Sequence, residues 1–322
     1  MIFYFIFNSL SSASVTNSAD GDDEFTKPWM IHQNYSIDFL PEEGLKYNKK
    51  LGSGKFSEVF SGNLENGTEV AIKKLKPTER WRLNREIRIL ATLQHIPQVI
   101  RLYGVYGDDS YPIVVTELGK TTNPNILTLD QLKWLLRELF DCLNKTHHQN
   151  IFHRDIKWQN ILVDFQTQKL RVIDWGLADY MNPKFNFSCS VGTKSYKAPE
   201  LLMGYKKYDE AVDIWASGCI LANLLFGCSA FFAANDNDGV FNRQVKFFGY
   251  NKMTQINEVL NTSKSIPYYG KQSFMEYVLP HTKHLINKET IGLVTKILNP
   301  DPFKRPTADE ILRDDFLYQK KK

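Results

Sequence analysis

Long hydrophobic runs are missing from these 322 residues. No stretch approaches the roughly 20 apolar residues that a spanning helix needs, so a membrane protein of that kind is excluded as an expectation. Cysteine is scarce: Cys142, Cys189, Cys219 and Cys228 form no CxxC pair and no metal-ligand spacing, which argues against a zinc module or a disulfide scaffold. They read as reduced thiols of an intracellular protein. Charge of one sign is also lacking. Lys and Arg number 40 against 36 Asp and Glu, a formal net charge of +4, too small to argue for nucleic acid or a membrane surface. There are no internal repeats and no sustained heptads. What remains is ordinary for a globular protein, 43% apolar and 24% charged, and long enough for one large domain or two lobes.

The N-terminus opens on a seven-residue apolar run, Met1–Phe7, with no Lys or Arg ahead of it, followed by Ser/Thr/Asn-rich sequence to Asp20. This is a weak signal-peptide pattern. Secretion is the minor reading, and cytoplasm or nucleus the expected compartment. Residues 1–24 are expected to be a disordered leader. Residues 25–44 carry Trp29, Tyr35, Phe39 and Pro41, and so aromatic a segment is expected to dock on the body of the protein.

The informative stretch is His153-Arg154-Asp155-Ile156-Lys157-Trp158-Gln159-Asn160, followed by Asp174-Trp175-Gly176. Between them, Ile161–Val163 and Leu170–Ile173 read as a short hairpin with an acid at each end. Each residue alone is a common turn former. The ordered set of acid, lysine, amide and second acid matches what phosphoryl transfer requires: one carboxylate to accept a hydroxyl proton, and an amide and a second carboxylate to hold Mg2+.

Upstream, Leu51-Gly52-Ser53-Gly54-Lys55 lies between β-like runs, with Ser57 where a third glycine of GxGxxG would stand and Val59 just beyond. A lone GxG is usually a turn. It gains weight from Glu69–Lys73, an alternating strand that ends in a lysine suited to the α/β-phosphates. Leu83, Ile87, Leu90 and Leu93 predict a helix over 79–94, with Glu86 beside the stripe and able to pair with Lys73. Arg80, Arg82 and Arg85 read as its basic edge.

Two further strands are predicted over 102–106 and 112–118. A hinge is then expected through Gly119 to Pro124, with a helical stripe from Leu132 to Leu143 beyond it. The domain boundary is placed near residue 118: a β-rich lobe over 45–118, a mostly helical lobe over 119–318 and a tail of 319–322, an α+β bilobal fold. Residues 180–197 form a long loop of the kind that is usually functional. Asp213 is expected to cap the 153–160 loop, and Arg305 to be the buried partner of Glu200. Residues 235–290 read as polar and irregular, and 291–316 as two helices.

Taken together these residues resemble the eukaryotic protein kinases over roughly 45–318, and within them the casein kinase II catalytic (alpha) subunit family. Asp174-Trp175-Gly176, with Trp where most kinases have Phe, carries that resemblance. So do 54–60, 73–77, 85–90, Tyr208-Asp209, Asp213-Ile214-Trp215 and Phe231-Phe232. The resemblance implies a constitutively active Ser/Thr kinase using ATP and Mg2+ on acidic protein substrates. It implies Asp155 as base and Lys157 on the transferred phosphate, Asn160 and Asp174 on Mg2+, and Lys73 held by Glu86. The nucleotide slot would be lined by Leu51, Gly52, Ser53, Gly54, Lys55, Val59, Ala71, Ile113, Glu117, Leu118, Leu162 and Ile173, with Thr116 as its back wall. A regulatory beta subunit on the N-lobe strands, in a two-plus-two tetramer, is the family's partner. No nucleic acid or membrane partner is expected.

Departures from the family pattern soften these expectations. The lysine run before the first helix is thinner, leaving Arg80 and Arg82. Of three basic positions that read substrate acids, Lys194 and Lys197 remain and the third is Ser190. Trp158 replaces a proline, and Ala71 widens the slot, which favours ATP over GTP. The other readings are a pseudokinase scaffold, disfavoured because Lys73, Asp155, Asn160 and Asp174 are all present, and a cyclin-dependent-like kinase, disfavoured by Trp175.

Overall fold

A computed structural model describes residues 35–54, 57–77, 79–122, 126–270 and 279–317. The expectations for residues 1–24, Trp29, Lys55 and the tail lie outside the described residues.

The N-terminal lobe is a six-stranded sheet in the order β1-β5-β6-β4-β3-β2, with one helix against it. Its strands are β1 (Phe39–Leu40), β2 (Leu45–Ser53), β3 (Ser57–Leu64), β4 (Glu69–Leu75), β5 (Leu102–Gly107) and β6 (Pro112–Glu117), and α1 (Arg80–Leu93) follows β4. Only β1 runs parallel to its neighbour, pairing Phe39 and Leu40 with Val105 and Tyr106. The pleat gives β4 two faces. Val70 and Ile72 pack on the outer side with Leu45, Ile113 and Val115. On the inner side, Val105 and Val114 meet Leu83 and Ile87 of α1 and Ile37 of the N-terminal segment.

The C-terminal lobe is helical. α2 (Leu129–His147) opens on a capping box in which Thr128 and Gln131 satisfy each other's backbone N–H groups. Its stripe of Leu132, Leu135, Leu136, Leu139 and Leu143 enters the largest apolar cluster. Short strands β7 (Ile151–Phe152) and β10 (Asp179–Tyr180) pair, as do β8 (Ile161–Asp164) and β9 (Lys169–Val172). The helices α3 (Pro199–Leu202), α4 (Ala211–Phe226), α5 (Asn237–Phe248), α6 (Tyr250–Val259), α7 (Lys288–Ile297) and α8 (Ala308–Leu312) complete it. α4 is buried along nearly its whole length and so is apolar all round. Among the described residues no helix is long and apolar enough to cross a membrane.

Residues 235–290 differ from expectation, since α5 and α6 occupy much of that span. The side chain of Asp236 accepts from Gly239 N at 2.7 Å, a cap that starts α5. Val240, Phe241, Gln244 and Val245 then make its buried face. The buried Gln244 and the Asn, Asp and Arg residues on the exposed side blur that periodicity in the sequence.

Candidate functional site

The loop after β7 is shaped by one buried carboxylate. Asp213, at the start of α4, is 0% exposed. Its Oδ2 accepts from His153 N at 2.8 Å and its Oδ1 from Arg154 N at 2.8 Å, and His147 Nε2 lies 3.0 Å from Oδ2. Burial works to raise the Asp213 pKa, but these hydrogen bonds and the neighbouring histidines hold it below the usual carboxylate range. Arg154, with φ 65°, takes the left-handed conformation just before Asp155.

Asp155 is 7% exposed and fully engaged. Its Oδ2 accepts from Lys157 Nζ at 2.7 Å and from Asn160 Nδ2 at 3.3 Å, while Asn160 Nδ2 also reaches Asp155 O at 2.9 Å. Its Oδ1 accepts from the Thr193 hydroxyl at 2.8 Å, and that hydroxyl in turn accepts from Lys157 Nζ at 3.1 Å. Nothing about Thr193 itself singles it out in the sequence. The one local signal is Gly192 before it, whose φ is +75° and whose added Cβ would meet Arg154 O at 2.8 Å. The close approach of the two loops therefore requires glycine there.

The second half of the site comes from the other lobe. Lys73 Nζ donates to Glu86 Oε1 at 2.8 Å and to Asp174 Oδ1 at 3.1 Å, which ties β4, α1 and the 174–176 turn together. Burial penalises the Lys73 ammonium, but the two carboxylates outweigh it and raise its pKa above that of an ordinary lysine. Lys73 in turn holds the Asp174 carboxyl below its usual range, with smaller help from His153 and Lys157. The two halves are thus in electrostatic contact. Asp174 itself has φ 61°, an unusual conformation for a residue with a Cβ. Trp175, buried beside it, donates from Nε1 to Val172 O at 3.0 Å and meets the His153 ring edge-on at 4.7 Å. His153 Nε2 lies 3.0 Å from Ile173 O.

Over these groups lies a cleft whose roof is the inner face of β2, β3 and β4. Gly52 pairs with Val59, Val59 with Lys73, and Ala71 with Thr116, so Val59, Ala71 and Thr116 share the Lys73 side of the sheet. Leu51 stands largely exposed, and Ser53 and Gly54 follow it at the turn. Leu118 and Gly119 pass so close to the floor hairpin that a Cβ on Gly119 would collide with the Leu162 side chain. Ile173, half-buried, follows β9 and leads into Asp174. Glu117 turns its carboxylate to Arg171 and to Arg101 N, bracing the connection between lobes. Ile113 does not belong to this set. It pairs with Lys74, sits on the outer face and packs with Val70, Ile72 and Val115, because strand parity turns it away from Lys73.

The sequence matches the protein kinase domain family over residues 45–317. The chain belongs to the protein kinase family. It is therefore a phosphotransferase, and the family implies ATP and typically Mg2+. The donor set suits that ion. Among the described residues no three His, Cys, Asp or Glu side chains gather as a metal cage. Mg2+ is usually held by one or two protein oxygens together with substrate phosphates and waters. In this kinase Asp174 is half-exposed to the cleft, and Asn160 spends its Nδ2 on Asp155, so that Oδ1 is the atom it could offer an ion.

The kinase's cationic residues sort into two groups. Arg80 lies over the Phe39 ring and pairs with Asn84 and Asp109, while Arg82 lies over Trp81. Lys194 is exposed and donates to Asn235 O at 2.6 Å, and Lys197, only 6% exposed, donates to Cys189 O at 3.0 Å. Burial lowers the Lys197 pKa, and no carboxylate among the described residues lies within ion-pair distance of it. Arg85 is a correction. It is not part of an exposed basic edge but is 5% exposed, donating to Asp179 Oδ2 at 3.0 Å and to Gly176 O at 2.8 Å. Arg154 donates to the same Oδ2 at 2.7 Å and to Leu177 O at 2.7 Å. Asp179 therefore joins α1, the 153–160 loop and β10 through one carboxylate.

Proposed function

We propose that this kinase is a Ser/Thr protein kinase that transfers the ATP γ-phosphate to hydroxyls flanked by acidic residues, in the manner of the casein kinase II alpha family. The observation that carries the proposal is the convergence of Lys73 on Asp174 and of Lys157, Thr193 and Asn160 on Asp155, with Lys157 among the cations that hold the Asp174 carboxyl below its usual range. In this reading Asp155 accepts the proton of the incoming hydroxyl and Lys157 steadies the transferring phosphoryl group. Lys73, oriented by Glu86, holds the nucleotide phosphates, and Asn160 and Asp174 hold Mg2+, which supplies charge neutralisation when bound. Val59, Ala71, Thr116, Leu118, Leu162 and Ile173 enclose the base, and Leu51 to Gly54 cover the phosphates.

The acceptor class is supported by the floor of the groove. Gly192 and Thr193 come within contact distance of Arg154 and Asp155. So close a wall favours a hydroxyl one carbon from the peptide backbone over one at the end of a phenol ring. The acidic preference is supported by Lys197 and Lys194, since a buried ammonium with no counter-ion among the described residues gains most from an arriving carboxylate. Arg80 and Arg82, half-exposed on α1, add a weaker contribution, as exposed pairs are worth about 0–1 kcal/mol each. Constitutive activity is supported by Asp179, which already supplies the anion that orders Arg154 and Arg85.

A regulatory subunit on the N-lobe strands belongs to the same reading. Its binding would cover Tyr47, Lys74 and Glu42, where Tyr47 Oη donates to Glu42 Oε1 at 2.9 Å and Lys74 pairs with the same oxygen at 3.2 Å. A partner there needs polar groups opposite that cluster. Size-exclusion chromatography with a casein kinase II beta subunit tests it, and elution of both as separate species refutes it. We place the enzyme in the cytoplasm or nucleus, where ATP is abundant.

The central test is transfer of labelled phosphate from MgATP. Peptides with Ser, Thr or Tyr acceptors, each with Asp/Glu or neutral residues at +1 to +3, are compared, with Asp174→Asn as control. Labelling of acidic Ser/Thr peptides that disappears in Asp174→Asn is the expected result. Equal rates on acidic and neutral peptides would remove the acidic preference. Tyr labelling would overturn the acceptor class, and no labelling despite MgATP binding would favour a scaffold.

A further inference from the structure

The segment that carries Lys194 and Lys197 is held from behind by a glutamine to which the reading above gives no role. Gln244, on α5, is 0% exposed, and its Nε2 donates to Lys197 O at 2.9 Å. That partner fixes which way the amide points, since a carbonyl can only accept. Its Oε1 is left buried with no donor among the described residues. Burying an amide oxygen without a partner is unfavourable. Methionine or leucine, on the buried face that Gln244 shares with Val240, Phe241 and Val245, would avoid it. What the glutamine supplies and they cannot is the bond to residue 197. The same segment meets the approach to α5 a second time, where Lys194 Nζ donates to Asn235 O at 2.6 Å.

Lys197 is a joint between two stiffer pieces. Before it, Lys194–Tyr196 form a short 3-10 turn, and Lys197 N donates to Lys194 O at 3.1 Å. After it, Ala198 is extended, with φ −70° and ψ 153°, as a residue before proline prefers, and Pro199 opens α3. Lys197 itself is extended, with φ −65° and ψ 132°, and belongs to neither piece. No strand ladder takes its carbonyl, so the peptide plane between 197 and 198 is oriented by Gln244. Turning that plane would turn the Lys197 Cα with it, and with the Cα the path of the side chain. At the far end of that side chain the ammonium donates to Cys189 O at 3.0 Å. An ammonium carries further donors, and these remain for an arriving acceptor.

We propose that Gln244 is a positioning residue for the recognition of acidic substrates: it fixes the Lys197 peptide from α5 and so sets the ammonium where an acidic side chain of the substrate arrives. The proposal rests on the reading of Lys197 as a residue that meets substrate carboxylates. It gives α5 a share in specificity through a side chain that neither solvent nor substrate reaches.

The experiment measures kcat and KM of the full chain with MgATP on Ser peptides that carry Asp or Ala at +1 to +3. It compares wild type with Gln244→Met, Gln244→Leu, Lys197→Met and the double variant Gln244→Met with Lys197→Met. Loss of one hydrogen bond should raise KM for the acidic peptide roughly threefold to tenfold in both single Gln244 variants. KM for the neutral peptide, KM for MgATP and kcat should stay within about twofold of wild type. In the Lys197→Met background, Gln244→Met should change the acidic-to-neutral ratio by less than about twofold, because the ammonium that it positions is gone. Unchanged KM for the acidic peptide would overturn the proposal, and so would an equal rise for the neutral peptide, which would signal a loosened groove. Persistence of the full effect in the Lys197→Met background would do the same. Failure of both Gln244 variants to fold would assign the glutamine to stability and overturn it too. A wild type with equal KM for both peptides, or a Lys197→Met variant that keeps the acidic preference, would instead overturn the reading of Lys197 on which the proposal stands.

Discussion

Replacing Asp179 by Asn tests how far one buried carboxylate holds the active arrangement together. Asp179, Arg85 and Arg154 are all nearly solvent-free, with side-chain exposures of 2%, 6% and 4%. Asn keeps the size and an acceptor oxygen but removes the only negative charge among these three residues. Two guanidinium groups would then remain buried without their counter-ion. Burial already depresses the Arg85 pKa to about 10, with Asp179 acting against that fall. Breaking a buried pair from one side costs about 3–5 kcal/mol, against a total stability of about 5–15 kcal/mol for a typical domain. Urea unfolding of Asp179→Asn should therefore show a loss in that range at unchanged slope. Removing one of the excess cations should recover part of it: Asp179→Asn with Arg85→Met should be more stable than the sum of the two single losses by about 0.5–3 kcal/mol. Because Arg85 precedes Glu86 on α1, kcat/KM for peptide should fall further than stability alone explains. A single-variant loss below about 1 kcal/mol, the scale of exposed pairs, would refute the assignment of a buried, counter-ion-dependent cluster. So would strict additivity in the double variant.

What was legible in the sequence depended on distance along the chain. Asp155, Lys157 and Asn160 lie within one short loop, and Asp174 follows after a single hairpin, so their order could be read as chemistry. Lys73 and Glu86 needed only a strand and the next helix. Thr193 and Asp179 were not legible as members of the site, because their partners lie 38 residues away at Asp155 and 94 residues away at Arg85. Nothing in a lone hydroxyl or a lone carboxylate announces a contact of that range. Arg85 was grouped with Arg80 and Arg82 because charge suggests exposure. Position 85 instead lies on the side of α1 that meets Gly176 and Asp179. Ile113 was misplaced for a different reason: Val114 and Val115 are both buried, one on each face of β6, so the alternation that would tell the two faces apart is absent. Fold class survived these errors because it rests on many weak signals. A single side chain's orientation rests on one.

Several further outcomes follow from the same geometry. Glu200→Gln should lose about 3–5 kcal/mol in urea unfolding, because Arg305 pairs with both Glu200 oxygens at 2.7 and 3.0 Å where neither side chain is exposed; a loss below about 1 kcal/mol would contradict this. Trp175→Phe should cost about 0.5–1.5 kcal/mol, the worth of the bond to Val172 O, with MgATP affinity changing more than that of adenosine. Gly192→Ala should raise KM for peptide more than KM for ATP, since its Cβ would push the Thr193 side of the groove off Arg154 O. The last outcome concerns pH and follows from opposed shifts. Lys73 holds the Asp174 carboxyl below its usual range, so what this pairing adds to stability is complete above the unfolded carboxyl pKa of about 3.9 and is lost as pH falls through the lower folded value. The Lys73 pKa is raised, so its share is complete below the unfolded lysine value of about 10.4 and is lost only as pH climbs through the higher folded value. Between these limits the pair is insensitive to pH. The difference in Tm between wild type and Asp174→Asn should accordingly stay flat from about pH 5 to 9 and shrink below about pH 4. Asp174 meets the cleft half-exposed, so salt should narrow the difference without moving those limits. A difference that instead collapsed between about pH 5 and 7 would mean that a histidine, not the Lys73–Asp174 pair, controls this corner of the site.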